Sequence, residues 1–583
     1  MSDSGRQSQA LVFGGDTLSF LAVIRSLGRK GVCVHVAGAV ATSPTLRSRY
    51  VHKVHHLPSF DQSRDSWCEA LQAILATCQF DIVIPCDDPH ILRFLYYTSK
   101  YGAVKGLELL PVSILEVTSS KQRSLELAQN LGIPVANSHL VTSQAELASV
   151  LGAIRPPVVL KPLTSFDARD TAHRREVRKA FTHADAAAIG AALLEHGAIQ
   201  IQENFVGTGT GVEFLASNGR ILCAFQHIRL HEPLHGGGSS YRKSIPLDHR
   251  MLRSTEALVQ ALRYDGAGMV EFKWNLRTDA YVFVEINARF WGSLPLAIAS
   301  GADFPWFLYR YRTEGDTSFP RSFEIGVCCR NLTLDFDWLK ANARNSRSDP
   351  LLATKPWPNV VAELGSIFLG RERIDTLTLD DPRPLFHEVV QLFVTAIGAA
   401  QRKLRRRVRS NGIVRRVRMQ RLERVLRRAS TVEFVCYGNI CRSPFAAETL
   451  SGGLTRAGYV SRVGSSGFHT VESRRAPEAA VVAAKEFGVD ITEHRSRRVT
   501  RDIIEHADAV IVFDWSNFEQ LSREFPQARN KAFLMGELDL YGPLTIQDPY
   551  GHNPGFYRCT YGNISRLIEH HLLPRLAAAK GGR

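Results

Sequence analysis

Cys436 opens the run Cys436-Tyr437-Gly438-Asn439-Ile440-Cys441-Arg442-Ser443-Pro444, directly after Val432-Glu433-Phe434-Val435. The first stretch reads as a buried strand, and Phe445 to Leu450 as a helix with Pro444 in its first turn. A strand, a tight loop and a helix start aim backbone N–H groups and the positive helix end at one point, which suits a phosphate. The same dipoles favour a thiolate on Cys436, a nucleophile at neutral pH. Arg442 offers a planar fork for two phosphate oxygens, and Ser443 a hydroxyl to ease departure of the sulfur. The chemistry expected is attack of sulfur on a phosphate ester.

A second set of residues lies upstream. Pro157-Val158-Val159-Leu160-Lys161-Pro162 reads as a buried strand ending in a lysine, and Lys121 opens a helix closed by Gly132-Ile133-Pro134. Ile199-Gln200-Ile201-Gln202-Glu203-Asn204-Phe205-Val206-Gly207 reads as a strand running into a glycine-rich turn. Val270-Glu271-Phe272-Lys273 and Val284-Glu285-Ile286-Asn287-Ala288-Arg289 read as neighbouring strands. Glu285 and Asn287 share a strand face because side chains alternate, and with Glu271 they offer hard oxygen ligands suited to magnesium.

The Cys436 to Pro444 string resembles the signature of the low-molecular-weight protein tyrosine phosphatases, over Thr431 to about Leu576. The resemblance implies a phosphocysteine route with Cys436 as nucleophile and Arg442 as phosphate ligand. Tyr437, Gly438, Asn439, Ile440, Cys441 and Ser443 complete the loop. It further implies Asp548, in Asp548-Pro549-Tyr550, as general acid, and Tyr550 stacked on the substrate ring. Ser465-Ser466-Gly467 and Asp514-Trp515-Ser516-Asn517 match structural strand-end motifs, and His494 matches a histidine that bonds the loop asparagine, here Asn439. The substrate implied is a phosphotyrosine protein or an aryl phosphate, with no metal or other cofactor. Arginine-directed relatives carry threonine where this chain has Ile440. Arsenate-reductase-like use of the same fold is the alternative, although no close cysteine pair beyond the loop supports it. Cys441 is either a packing residue or a partner for Cys436 in a protective disulfide.

The upstream set is similar, in order, to the ATP-grasp fold over about residues 8 to 320, in its carbamoyl-phosphate-synthase-like group of carboxylate–amine ligases. By that resemblance Lys121, Lys161 and Arg289 contact phosphate. Gln202, Glu203, Asn204 and Phe205 bind ATP, with Glu203 and Phe205 at the adenine hinge, and Glu271, Glu285 and Asn287 hold Mg2+. The 207–211 and 236–240 glycine loops then look like covers over ATP, and His227, Arg229 and Arg242 like contacts to the acceptor. The partners implied are a small-molecule carboxylate and an amine. The competing reading is an ATP-binding module that regulates the phosphatase without ligase chemistry.

These residues need a scaffold of alternating strands and helices. Ala10 to Phe13, Val32 to Val36 and Asp81 to Pro85, separated by helical segments, predict a parallel α/β sheet. Gly14-Gly15 and Asp87-Asp88 fall at its ligand-binding edge. The expected fold class is α/β. An ATP-grasp fold, made of a pre-ATP-grasp α/β domain and two α+β subdomains, precedes a three-layer α/β/α parallel-sheet phosphatase domain. The expected divisions are 1–115 for the pre-ATP-grasp domain and 116–320 for the ATP-grasp domain. A C-terminal extension over 321–400, a basic linker over 401–430 and the phosphatase over 431–583 follow.

A chain of 583 residues needs several cores. Its hydrophobic content of 44% and charged content of 22% are those of a globular protein. No apolar run reaches membrane-spanning length, the first residues lack a signal-peptide core, and the ten scattered cysteines read as reduced thiols, so a cytoplasmic location is expected. Most of the formal charge of +15 sits between Arg402 and Arg428, where thirteen Lys/Arg face one acid, Glu423. That segment can form amphipathic helices. It reads as a solvated linker or as a peripheral contact to an anionic membrane surface. It lacks the aromatics that would stack bases, which argues against nucleic acid.

Overall fold

The computed structural model describes residues 7–15, 17–167, 170–232, 238–344, 355–368, 372–459 and 462–580. Asp16, beside the first glycine pair, and Gly236 and Gly237 of the expected nucleotide cover lie outside the described residues. The chain divides into two compact units, Met1–Val394 and Thr395–Arg583.

The first unit begins with a parallel sheet of β1 (Gln9–Phe13), β2 (Cys33–Ala37), β3 (Val51–His55) and β4 (Ile82–Pro85), in the order β3-β2-β1-β4. Ala10 and Val12 pack into one apolar cluster, Leu11 and Phe13 into another, so β1 is buried on both faces. That is why its sequence is an unbroken apolar run. Each fully buried Leu or Phe here contributes roughly 1.5–3 kcal/mol.

A four-stranded antiparallel sheet follows, built from β5 (Ser138–Val141), β6 (Val158–Pro162), β7 (Arg178–Ala180) and β8 (Ile199–Glu203) in the order β5-β8-β6-β7. The large sheet of the unit has seven strands. They are β9 (Thr208–Ser217), β10 (Arg220–His231), β11 (Tyr241–Ser244), β12 (Gly266–Trp274), β13 (Tyr281–Asn287), β14 (Cys328–Arg330) and β15 (Glu372–Ile374), in the order β13-β12-β9-β10-β11-β14-β15. The last two come from beyond residue 320, the stretch least legible in sequence. They are fixed by Arg330, which pairs with Glu372 at 3.0 Å and with Asp335 in the buried interior.

In the second unit, β16 (Thr431–Cys436), β17 (Arg462–Gly467), β18 (Ala509–Val512) and β19 (Ala532–Leu534) form a parallel sheet in the order β17-β16-β18-β19. Phe434 faces one cluster with Phe445, Leu450 and Ile564. Val435 faces the other with Ile504, Phe518 and Leu521. Helices therefore cover both faces, the three-layer arrangement expected from sequence.

The basic segment departs from a solvated linker. Its second part is the helix Gly412–Leu426, whose Leu422 and Leu426 are buried in the phosphatase core. Arg415 is buried and donates to the carbonyl of Gly536 at 3.0 Å, while Arg418 forks Glu537. Apolar positions repeating at helical spacing drive that docking, and the arginines find acceptors inside the unit. Among the described residues no helix is long and apolar enough to cross a membrane.

Candidate active site

β16 delivers Cys436 to the sheet edge, and the helix Arg442–Arg456 starts six residues later, so its first turn faces the sulfur. The helix begins earlier than the apolar run suggested, with Arg442 itself in the first turn and Cys441 at the N-cap. Cys436 is only 3% exposed. Its Sγ accepts the Asn439 N–H at 3.2 Å and lies 3.0 Å from Ser443 Oγ. These contacts stabilise negative charge on sulfur.

Asn439 holds the loop. It sits at φ +52°, where asparagine is tolerated better than most residues. Its amide donates to Ser443 Oγ at 2.9 Å and Ser465 Oγ at 3.0 Å, and its Oδ1 accepts the Arg497 N–H at 2.8 Å. His494 Nε2 donates to the Asn439 backbone carbonyl at 2.7 Å, so the histidine meets the asparagine through its main chain. Arg474 donates to the Gly438 carbonyl at 2.6 Å. Gly467, at the end of β17, packs directly on the loop: a Cβ there would fall 2.7 Å from the Tyr437 carbonyl oxygen. Sequence reasoning missed Arg474 and Arg497; their contacts span 36 and 58 residues and carry no local signal.

Arg442 is 1% exposed and reaches both flanking carboxylates. Nη1 donates to Asp514 Oδ2 at 2.6 Å and to the Ile546 carbonyl at 2.9 Å; Nη2 donates to Asp548 Oδ2 at 2.6 Å. Burial opposes its charge, yet Asp548, Cys436 and Asp514 together hold the guanidinium above its usual pKa. Its Nε is buried with no hydrogen-bond acceptor among the described residues. Cys441 and Ile440 are buried, and burial pushes the Cys441 thiol up, so it stays protonated near the reactive sulfur. Tyr437 and Tyr550 are half exposed at the mouth, Tyr437 edge-on to His469 with ring centroids 5.8 Å apart.

In the first unit, Glu271 on β12 and Glu285 on β13 are direct cross-strand partners, and Asn287 Nδ2 lies 3.4 Å from Glu285 Oε1. The strand register thus brings these three oxygen-bearing side chains near one another. Burial, reinforced by Glu285 and opposed by Arg229, raises the pKa of Glu271. Lys161 is the buried penultimate residue of β6. Burial, partly countered by Glu285 and reinforced by Lys121, lowers its pKa to about 8. Among the described residues it has no carboxylate within ion-pair distance, which fits an anionic ligand. Lys121, also lowered by burial, donates to Ser165 Oγ at 3.2 Å. Gln202 is buried in β8, Glu203 is exposed beside Asn137, and the Asn204 Oδ1 is buried without a partner among the described residues. Phe205 is partly buried and packs near Gly207.

Four of the expected contact residues are already paired with carboxylates. Arg289 forks Asp88 at 2.8 and 3.1 Å, so its charge is already matched by a carboxylate from the helix Asp88–Tyr101. Arg229 pairs with Glu271 at 2.8 Å. His227 is buried against Glu213 at 2.6 Å, and Arg242 against Asp375 at 2.6 Å.

Residues 431–580 match the family of low molecular weight phosphotyrosine protein phosphatases, and residues 246–304 match the ATP-binding domain of the carbamoyl-phosphate synthase L chain. The low molecular weight phosphotyrosine protein phosphatase of Rattus norvegicus is 33% identical over 148 residues, covering 24% of this chain and 92% of the relative. The YwlE arginine phosphatase from Geobacillus stearothermophilus is 29% identical, with a TM-score of 0.23 and coverage of 26% of this chain and 91% of that one. An L-amino acid ligase from Bacillus licheniformis is 14% identical, with a TM-score of 0.42 and coverage of 53% and 75%. Through its C-terminal quarter the chain belongs to the low-molecular-weight phosphotyrosine protein phosphatases. That domain is fused to an ATP-grasp-like region.

Proposed function

We propose that the second unit hydrolyses phosphotyrosine-type esters through a phosphocysteine at Cys436, and that the first uses ATP and magnesium to join a small carboxylate to an amine. The observation carrying the phosphatase half is the Cys436 sulfur, held by the Asn439 N–H and the Ser443 hydroxyl beside a doubly anchored Arg442.

The thiolate attacks phosphorus in line. The S–P bond forms as the P–O bond to the phenol breaks, while Arg442 and the loop amides hold the equatorial oxygens. Asp548 gives its proton to the leaving phenolate, then accepts one from the water that attacks phosphorus. The S–P bond breaks, the thiolate returns and inorganic phosphate leaves. Tyr437 and Tyr550 flank the entrance and suit an aromatic ring. Ile440 brings no hydroxyl to the loop, which favours an aryl ester over phosphoarginine. In the full chain, hydrolysis of an aryl phosphate should disappear in Cys436→Ser; survival of the activity sinks this half of the reading.

The ATP-grasp-like unit offers Glu271, Glu285 and Asn287 for magnesium, and Lys121 and Lys161 for phosphates. Lys161, buried and without a carboxylate in ion-pair distance among the described residues, supports that fit. When bound, the nucleotide supplies the phosphoryl group that activates a carboxylate. One observation favours a nucleotide sensor instead: Arg289 and Arg229 are both already paired with carboxylates. ADP release that depends on an added acid and amine, and is lost in Glu285→Ala, supports the ligase; binding without turnover supports the sensor. For location we propose the cytoplasm. Arg402, Lys403, Arg405 and Arg407 stay exposed and suit a peripheral anionic lipid contact, which liposome flotation tests.

A further inference from the structure

Away from both sites, the edge of the first sheet gathers an unusual set of donors. Cys33 and His35 lie two residues apart on β2 and so share one face. Opposite them β3 carries an extra residue. Val34 pairs with Val51 and His35 with Lys53, which leaves His52 in a bulge. Bulges re-aim side chains, and this one brings His52 to the same point. The Sγ of Cys33 and one ring nitrogen each of His35 and His52 all lie within 4.8 Å of one another.

His35 is 4% exposed and held from several sides. Its ring stacks with those of His52 and of His55, with centroids 5.2 Å away in each case, and makes a T-shaped contact with Phe80. Its Nδ1 lies 2.9 Å from His55 Nε2. A ligating histidine commonly has its second nitrogen fixed in this way, which leaves the first for a metal. As mere packing the cluster is costly, because buried ring nitrogens lose hydration that an apolar side chain would not need.

We propose that Cys33, His35 and His52 bind a zinc-class divalent ion, with His55 as the residue that orients His35. One thiolate and two imidazoles suit Zn2+ better than magnesium or calcium. Tetrahedral zinc places its ligand atoms about 3.5 Å apart, so closure needs a movement of roughly an ångström. His52 is exposed on an edge strand and can supply it. On binding, the Cys33 thiol loses its proton to solvent as the sulfur–metal bond forms, and both imidazoles bind neutral. Water completes the fourth position. The ion would clasp β3 to β2.

The test uses the full chain carrying Cys436→Ser, which removes the reactive thiol as a competing ligand. After chelation and dialysis it is titrated with Co2+ and then Zn2+. We expect one equivalent of cobalt to give a thiolate-to-metal charge-transfer band that zinc displaces. The band should vanish in Cys33→Ser, and His52→Ala should weaken binding at least about tenfold. His52 is exposed, so its replacement keeps the fold even where Cys33→Ser does not. Absence of the band, or a band unchanged by His52→Ala, overturns the proposal.

Discussion

Replacing Asn439 tests how the phosphate loop is held in shape. Its side chain makes three hydrogen bonds, to Ser443 and Ser465 in the interior and to the partly buried Arg497 N–H. At about 1 kcal/mol each, their loss in Asn439→Ala costs about 3 kcal/mol. Alanine at φ +52° adds about 1 kcal/mol that asparagine largely avoids. If loop closure absorbs this, the affinity for a phosphate mimic falls roughly 100- to 1000-fold. Asn439→Gly loses the same three bonds but tolerates the left-handed backbone, so it should bind several-fold tighter than the alanine variant. Vanadate inhibition of aryl phosphate hydrolysis reads both variants in the full chain. Alanine equal to or better than glycine, or wild-type vanadate affinity in both, refutes the reasoning.

Asp548→Ala should slow hydrolysis chiefly for esters with poor leaving groups, by about 100-fold or more, and little for p-nitrophenyl phosphate; a uniform loss across leaving groups argues against a proton donor. Arg415→Met strips donors from the loop around Gly536 and should lower the stability of the phosphatase unit by about 2–4 kcal/mol, read as earlier loss of activity in urea. A shift below about 0.5 kcal/mol means that the helix Gly412–Leu426 is dispensable. Burial lowers the pKa of Lys161 to about 8, so its ammonium is progressively lost as pH rises through that value. Affinity for magnesium–ATP should therefore fall as pH rises through about 8, by up to tenfold per unit, and Lys161→Met should abolish the dependence. Flat wild-type affinity between about pH 7 and pH 9.5, measured calorimetrically, contradicts it.

Both units were legible where local pattern and chemistry coincide. Ala10 to Phe13 and Val432 to Val435 are short apolar runs before turn residues, and both are central parallel strands. The loop from Cys436 to Ser443 is contiguous, so the whole string between a strand and a helix placed sulfur, guanidinium and hydroxyl together. Glu285 and Asn287 followed from strand alternation. Long-range matching was not legible. Nothing near Arg289 announces Asp88, which lies 201 residues earlier, and nothing near Arg242 announces Asp375. The basic segment misled by composition. Charge runs suggest solvent, but Arg415 and Arg418 are consumed by carbonyls and by Glu537 more than a hundred residues away. β15 is three residues long and joins its sheet only through β14, too little pattern to read from sequence.

The central claim is that a phosphoryl group rests covalently on one sulfur during turnover. Acid quench of the full chain within the first turnover of a fast aryl phosphate, followed by peptide mass spectrometry, observes that state directly. The account predicts one phosphate on the peptide carrying Cys436, accumulating with the first equivalent of phenol and absent in Cys436→Ser. Phenol release with no phosphate on that peptide, or phosphate on another residue, contradicts it.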